Sequence, residues 1–236
     1  MATSFEDVRL IGPPSVDGEY VALGDDEVIH LHDYARIYAV PGLYEHVVQK
    51  QLQCCSPQVA AEGFLQAAAG LDTKSLTVLD VGAGTGLVGE LLRGGGVKRV
   101  VGVDALPAAR TACMRDRPGV YTSYLIGDLA SDDSELWASL REHELGGLVS
   151  AGALGGTHVP PAALVNALAI LPAGAPVALT IDERWMDRSD PDGFGVAVER
   201  LVDQGDLKGL ERSRFRHRIT TSGEPVFYEL LVGTTG

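Results

Sequence analysis

Cysteine, long apolar runs and positive charge are what this chain has little of. Three cysteines occur, Cys54 and Cys55 side by side and Cys113 alone. They form no disulfide framework, and reduced thiols in a cytoplasmic protein are the simplest reading. No apolar run reaches the about 18 residues that a transmembrane helix requires, so no membrane partner is expected. Residues Met1 to Asp7 lack the basic start and apolar centre of a secretory signal. Lys and Arg number 19 against 32 Asp and Glu, a net charge of −13. A protein that grips a phosphate backbone usually carries a basic face, so no nucleic-acid partner is expected either. Internal repeats, long linkers and low-complexity tracts are also missing. That points to one domain, with at most a small appendage, in 236 residues.

One local concentration of positive charge runs against this. Arg212, Arg214, Arg216 and Arg218 alternate along an expected strand and so share one face. The face reads as a solvated surface near a sheet edge, where charge discourages aggregation. The competing reading is a docking site for an acidic ligand or partner.

What is present is an ordinary globular composition, 45% hydrophobic and 22% charged. A chain of this length buries roughly 70% of its unfolded surface. Short β-type pieces at Val8–Ile11 and Tyr20–Leu23, separated by Pro13, Pro14 and Gly18, suit a small hairpin or arm. Residues 31–53 look helical, broken at Pro41-Gly42. Residues 57–69 form a helix with Ser56 as N-cap, Pro57 in the first turn and Gly70 at its end. From there strands and helices alternate. Strands are expected at Leu76–Val81, Arg99–Val103, Tyr121–Ile126, Gly147–Ala151 and Pro176–Ile181. Helices follow at Gly86–Arg93, Pro107–Asp116, Asp133–Glu142, Pro161–Leu171 and Gly193–Gln204. Asp132 and Glu135 are placed to form a capping box. Two last strands, Glu211–Ile219 and Val226–Val232, close the chain as an antiparallel hairpin. Helices between successive strands imply a mostly parallel α/β sheet with helices on both faces.

The most informative stretch is Val78-Leu-Asp-Val-Gly-Ala-Gly-Thr-Gly86. A strand ends in an acidic residue, three glycines follow at alternate positions, and a helix starts. Such a turn lets backbone approach a ligand closely, and the helix start offers unpaired N–H groups. In a sheet of this type, ligands bind beyond the carboxyl ends of the strands. Asp104 ends the second core strand, where its carboxylate can accept both hydroxyls of a ribose. Asp128 follows the third, near the base of the same nucleoside. Asp80 precedes the turn. Three carboxylates are a poor setting for a pyrophosphate and suit a nucleoside carrying a sulfonium or ammonium group. A dinucleotide fingerprint, Gly-x-Gly-x-x-Gly, is satisfied only by Gly84, Gly86 and Gly89, which starts the turn late and puts Gly89 inside the helix.

In Val78–Gly86, Val100–Asp104 and Gly127–Asp128 the chain resembles the class I S-adenosylmethionine-dependent methyltransferases, over roughly residues 50–236. The resemblance implies a Rossmann-like seven-stranded, mostly parallel sheet with a reversed C-terminal antiparallel hairpin. It implies S-adenosyl-L-methionine as cofactor. Asp80, Gly82, Ala83 and Gly84 would border its methionyl part, Asp104 with Ala105 the ribose, and Asp128 with Leu129 the adenine. Ser150 to Leu154, including Ala151, would lie beside the transferred methyl. Gly84-Thr-Gly-Leu-Val-Gly-Glu-Leu-Leu, Gly156-Thr-His-Val-Pro-Pro161 and Ala35-Arg-Ile-Tyr38 are also similar to the Williams–Beuren-region methyltransferase-like group. Leu31 and His32 depart from that group's N-terminal Tyr-Asp, which leaves Tyr38 as the ligand contact expected there.

Methyl transfer needs the attacking atom in line and roughly 3–3.5 Å away, and a hydroxyl or carbon acid also needs a base. His158 is the first candidate, in a loop on the ligand side; the structural alternative is a helix cap. Glu183 is a second, with Trp185 as a pocket wall; the alternative is a solvated turn. Tyr34 and Tyr38 share a helical face, with Tyr44 beyond the break. Tyr38 is the candidate to cover the cofactor and complete the catalytic set; the alternative is a helix packed on the core. His30 and His32, two apart, share no helical face, and no metal site is expected.

The sequence thus predicts an N-terminal arm or lid over residues 1–50 and a methyltransferase domain over 51–236, acting on a small molecule. Two rivals stand: a non-catalytic cofactor-binding protein without a substrate cavity, and a nicotinamide-dependent oxidoreductase. Oligomeric state, acceptor atom and substrate are left open.

Overall fold

The computed structural model describes residues 5–13, 16–155 and 158–236. Residues 1–4 at the start of the chain, Pro14 and Ser15, and Gly156 and Thr157 of the loop motif lie outside the described residues.

A seven-stranded sheet carries the molecule. Its strands are β4 (Thr77–Val81), β5 (Arg99–Asp104), β6 (Ser123–Ile126), β7 (Gly147–Leu154), β8 (Pro176–Asp182), β9 (Leu207–Ile219) and β10 (Pro225–Thr235). Their order is β6-β5-β4-β7-β8-β10-β9. β4 to β8 pair in parallel, and β10 inserts antiparallel between β8 and β9. The expected sheet and reversed hairpin are therefore present. The order changes direction between β4 and β7, which opens a crevice at their carboxyl ends.

Alternate side chains of the strands feed two cores. Leu79, Val81, Val101 and Val103 pack with helices α5 (Ser134–Arg141), α6 (Pro161–Leu168) and α7 (Phe194–Asp203). Val78, Val100, Val149 and Ala178 pack on the other face with α2 (Ser56–Ala67) and α3 (Leu87–Gly94). β4 is buried along its whole length, as a strand covered on both faces requires. Helix α4 (Pro107–Asp116) follows β5.

The N-terminal residues add a three-stranded antiparallel sheet, β1 (Val8–Ile11), β2 (Tyr20–Leu23) and β3 (Glu27–His30). The third strand was not expected. Helix α1 (Tyr34–Ala39) ends before Pro41-Gly42, and Glu45–Gln51 winds as a π-helix, with Leu52 N–H donating to the Val47 carbonyl five residues back. This region has its own core, including Val21, Ile29, Ile37, Leu43 and Val47.

Two caps differ from expectation. Ser56 is the first residue of α2 rather than its cap, and its hydroxyl lies 2.6 Å from His217 Nδ1. At α5 the cap is Asp133, whose carboxylate accepts from the Glu135 and Leu136 N–H groups. A bulge corrects the arginine stripe. Arg216 pairs with Phe227 and Arg218 with Val226, so His217 is an extra residue. Arg218 consequently turns inward to 5% exposure, while Arg212, Arg214 and Arg216 remain outside.

Candidate active site

The glycine turn after β4 opens the site. Gly82, Gly84 and Gly86 adopt φ of 72°, 50° and 91°, the left-handed region that glycine enters without strain. At Gly84 a Cβ would stand 3.0 Å from the Tyr38 hydroxyl, so the bare backbone is what lets Tyr38 pack this close to the turn. Asp104 fixes the turn from β5. Its carboxylate accepts from the Gly84 N–H at 2.9 Å and the Leu106 N–H at 2.9 Å. Burial raises its pKa, and these two donors oppose the rise. Asp128, after β6, is exposed and accepts from the Ala130 N–H at 2.8 Å.

These loops line a cavity of about 420 Å³. Gly82, Ala83, Gly84, Asp104, Ala105, Asp128, Leu129 and Ala151 all border it, as do Tyr38 and His158. Its lining would suit an adenosyl group: a bare backbone at the turn, a carboxylate at the end of β5 and another after β6. Asp80 lies beneath the turn instead, 1% exposed and outside the lining. The Tyr121 hydroxyl donates to it at 2.6 Å, and burial raises its pKa to about 7. Gly89 sits in α3 where a Cβ would stand 2.6 Å from the Tyr121 ring. Close packing against Tyr121 therefore accounts for Gly89, the glycine that completes the offset dinucleotide spacing.

The tyrosines roof this cavity. Tyr34 and Tyr38 stack with ring centroids 5.7 Å apart, and Tyr44 meets Tyr38 edge-on at 5.3 Å. Arg115 donates to the Tyr38 carbonyl at 3.1 Å. Arg117 holds Glu45 at 2.7 Å, and Glu45 also accepts from Thr85 at 2.8 Å. The roof is thus tied to α4 and to the glycine turn.

A second cavity of about 280 Å³ adjoins the first. The two share His32, Tyr34, Tyr44, Pro57, Ala151, Gly152 and His158. His158 stands at this junction, solvent-accessible, with its ring edge-on to His32 at 5.4 Å and to Tyr34 at 5.3 Å. Burial lowers the pKa of His158, against the pull of Asp104. His32 is lowered to about 4, by burial first and then by His158 and Arg218. Both rings are neutral near pH 7 and can take a proton.

Glu183 is not part of either lining. It lies in the 3-10 turn Glu183–Met186 and accepts from Arg214 Nε at 2.6 Å, which lowers its pKa. Its neighbours Asp182, Arg184 and Trp185 do line the second cavity. Sequence reasoning missed Ser56, His217, Arg218 and Tyr228 on the same wall. His217 stacks on Tyr228 at 3.9 Å, and burial lowers its pKa to about 3. The only signal was the arginine alternation of β9, and the bulge that turns His217 and Arg218 inward leaves no local mark in it.

No protein-family model matches the chain, and no curated protein matches it. Solved structures do match in fold. The CurJ carbon methyltransferase aligns with a TM-score of 0.58 at 14% identity, over 83% of this chain and 57% of that one. Magnesium protoporphyrin IX methyltransferase from Synechocystis PCC 6803, solved with bound S-adenosylmethionine, aligns at 0.52 and 12% identity, over 90% and 87%. Human N-acetylserotonin methyltransferase aligns at 0.51 and 13% identity, over 88% and 60%. At these identities the likeness is one of architecture, and the chain has the class I S-adenosylmethionine-dependent methyltransferase fold.

Proposed function

We propose that this chain transfers the methyl group of S-adenosylmethionine to a small molecule held in the second cavity. The observation that carries the reading is the junction of the two cavities at His158, Tyr34 and His32. One chamber suits the nucleoside, the other the acceptor, and a base stands between them. When bound, the cofactor supplies an activated methyl on a sulfonium. The chain's own part is to orient and to move a proton. Asp104 is assigned to the ribose hydroxyls, Asp128 and Leu129 to the adenine, and Gly82 to Gly84 with Ala151 to the methionyl end. Tyr38 covers the sulfonium, where an aromatic face contributes about 0.5–2 kcal/mol. His158 takes the acceptor's proton, in the shared neck where an attacking atom must stand roughly 3–3.5 Å from the methyl.

Residues 1–50 are assigned as the arm that roofs both chambers and sets acceptor choice. Among the described residues no helix is long and apolar enough to cross a membrane, and three free thiols suit a reducing compartment. A non-catalytic cofactor-binding protein would need no second chamber, and the second chamber speaks for the enzyme. Calorimetric titration with S-adenosylhomocysteine and with NADH tests the cofactor. Binding of NADH but not of S-adenosylhomocysteine would overturn the reading. His158→Ala that keeps full turnover would remove His158 as the base.

A further inference from the structure

Resting on the methyltransferase reading, we infer that the acceptor is a small aromatic hydroxyl compound without fixed charge, methylated on oxygen. Three properties of the second cavity point there.

Much of the wall is aromatic. Tyr34, Tyr44, Trp185 and Tyr228 border it together with the imidazoles of His32 and His158. Trp185 is 39% exposed, although a tryptophan at the end of a sheet is free to pack inward. It lies over Gly155, where a Cβ would stand 2.6 Å from its indole, so the glycine makes the place for the ring. A planar ligand gains offset or edge-on contacts with such walls beyond the area it buries. At about 280 Å³ the chamber sits at the small end of ligand sites, which run from about 300 to 1,000 Å³, and suits one or two rings.

The charges in the wall are already spent on each other. Arg184 is held by Asp182 at 2.8 Å and reaches Asp17 at 3.4 Å. Arg218 is paired with Glu19 at 2.5 Å. Neither guanidinium is left unpaired to receive a phosphate, and the buried carboxylate of Asp182 is taken up by the backbone and side chain of Arg184; Asp17 is at the exposed rim of the chamber. An acceptor with a fixed charge would enter against its desolvation cost without a partner.

The junction holds one exposed neutral imidazole, His158, that can take a proton. A phenolic hydroxyl has a pKa of about 10 and is protonated near neutrality, so it needs a base but only a weak one. A neutral imidazole fits that task. In the step, the hydroxyl oxygen forms the new bond to the methyl carbon while its proton passes to His158. The carbon–sulfur bond breaks with its electron pair left on sulfur, which becomes the neutral thioether. The imidazolium then returns its proton to water.

The test uses the full chain and three probes of one skeleton: 2-naphthol, decahydro-2-naphthol, which lacks the π-system, and 2-naphthyl phosphate. S-adenosylhomocysteine is titrated first by calorimetry; failure here overturns the methyltransferase reading itself. With that ligand saturating, 2-naphthol is expected to bind about tenfold or more tightly than either other probe. Equal or tighter binding of the saturated alcohol or the phosphate, with S-adenosylhomocysteine still bound, overturns only the present inference. Trp185→Ala is expected to weaken 2-naphthol about tenfold and leave S-adenosylhomocysteine affinity unchanged, which also reports that the fold is intact. An unchanged 2-naphthol affinity counts against the aromatic wall. With S-adenosylmethionine, the expected product is 2-methoxynaphthalene. A ring-methylated naphthol would overturn the oxygen assignment. His158→Gln removes one ring of the wall as well as the base, so it is expected to bind 2-naphthol somewhat more weakly and, at saturating 2-naphthol, to methylate it only as pH rises and the naphtholate forms. An unaltered pH profile in that variant would remove the proton transfer to His158.

Discussion

The two chambers of the site are built in opposite ways. The larger takes most of its lining from successive loops of one sheet edge, Gly82–Thr85, Asp104–Leu106, Gly127–Leu129 and Ala151–Ala153. The smaller is assembled from segments far apart in sequence, among them Asp17, His32 to Ser56, Asp182 to Trp185, and His217 to Tyr228. In the first, each side chain is placed by the strand it follows. In the second, placement depends on how the N-terminal region docks on β9. Cys55 N–H donates to the His217 carbonyl, Ile219 N–H to the Leu52 carbonyl, and Glu19 pairs with Arg218. The difference separates what any chain of this fold needs from what this chain adds, and it makes the two chambers separately breakable.

The largest effect is expected at the dock. Glu19 is fully buried and Arg218 is 5% exposed. Glu19→Ala strands a buried guanidinium and is expected to cost about 3–5 kcal/mol in urea unfolding. Glu19→Gln combined with Arg218→Met is expected to recover much of that loss, because removing both charges also removes their desolvation cost. A single variant that unfolds at the wild-type midpoint would mean that the dock does not hold the acceptor wall.

Asp104→Ala is expected to act on the other chamber. Two hydrogen bonds from ribose hydroxyls to a carboxylate contribute about 1.5–3 kcal/mol each. Their loss predicts at least about 100-fold weaker S-adenosylhomocysteine binding by calorimetry, with a folded protein. Some further loss comes from the turn, since Asp104 also holds the Gly84 and Leu106 N–H groups. An unchanged titration would sink the assignment of Asp104.

The same contrast decides what was legible beforehand. Val78 to Gly86 shows a strand, a turn and a helix start in nine adjacent residues, and Asp104 and Asp128 fall at the ends of the next two strands. The physics there is local: strand periodicity, left-handed glycines and side chains at carboxyl ends. The alternation of strand and helix segments also located the seven strands of the sheet along the chain. The acceptor wall had no such signal. His217 and Arg218 face inward because of one extra residue in β9 relative to β10, which alternation alone cannot show. Ser56 looked like a cap because serine usually caps, but His217, 161 residues away, takes its hydroxyl. Glu183 looked like a base after a strand, but Arg214 from β9 binds it. In each case a long-range partner outweighed the local preference.

One buried and one half-buried histidine make the acceptor wall sensitive to acid. His217 has its pKa lowered from 6.5 to about 3, and His32 from 6.5 to about 4. Between pH 4 and 6.5 the unfolded chain holds both protons and the folded chain neither, so their contribution to stability rises with pH. Asp80, raised from 3.8 to about 7, works in the opposite direction over the same window, because the folded chain keeps a proton that the unfolded chain has lost. These three groups together leave one proton taken up on unfolding, a slope of about 1.4 kcal/mol per pH unit. His217→Gln is expected to reduce the slope of unfolding free energy against pH by that amount. Parallel slopes for the variant and the wild type would show that His217 is protonated in the fold, and hence that its wall is open to water.

The smallest effect separates the roof from the floor of the cofactor chamber. Asp104 meets the ribose, which S-adenosylmethionine and S-adenosylhomocysteine share, so its removal is expected to weaken both equally. Tyr38 is proposed to meet the sulfonium, which only S-adenosylmethionine carries. A cation–π contact contributes about 0.5–2 kcal/mol, a factor of roughly 2 to 30 in affinity. Tyr38→Leu keeps an apolar side chain of similar reach but has no ring. It is expected to weaken S-adenosylmethionine by a factor in that range and S-adenosylhomocysteine by less, measured as the ratio of the two calorimetric constants. The ratio cancels any general loosening of the roof, including loss of the stacking on Tyr34 at 5.7 Å. If the ratio stays at its wild-type value, Tyr38 serves only to pack α1 over the site, and the positive charge is balanced from elsewhere in the chamber.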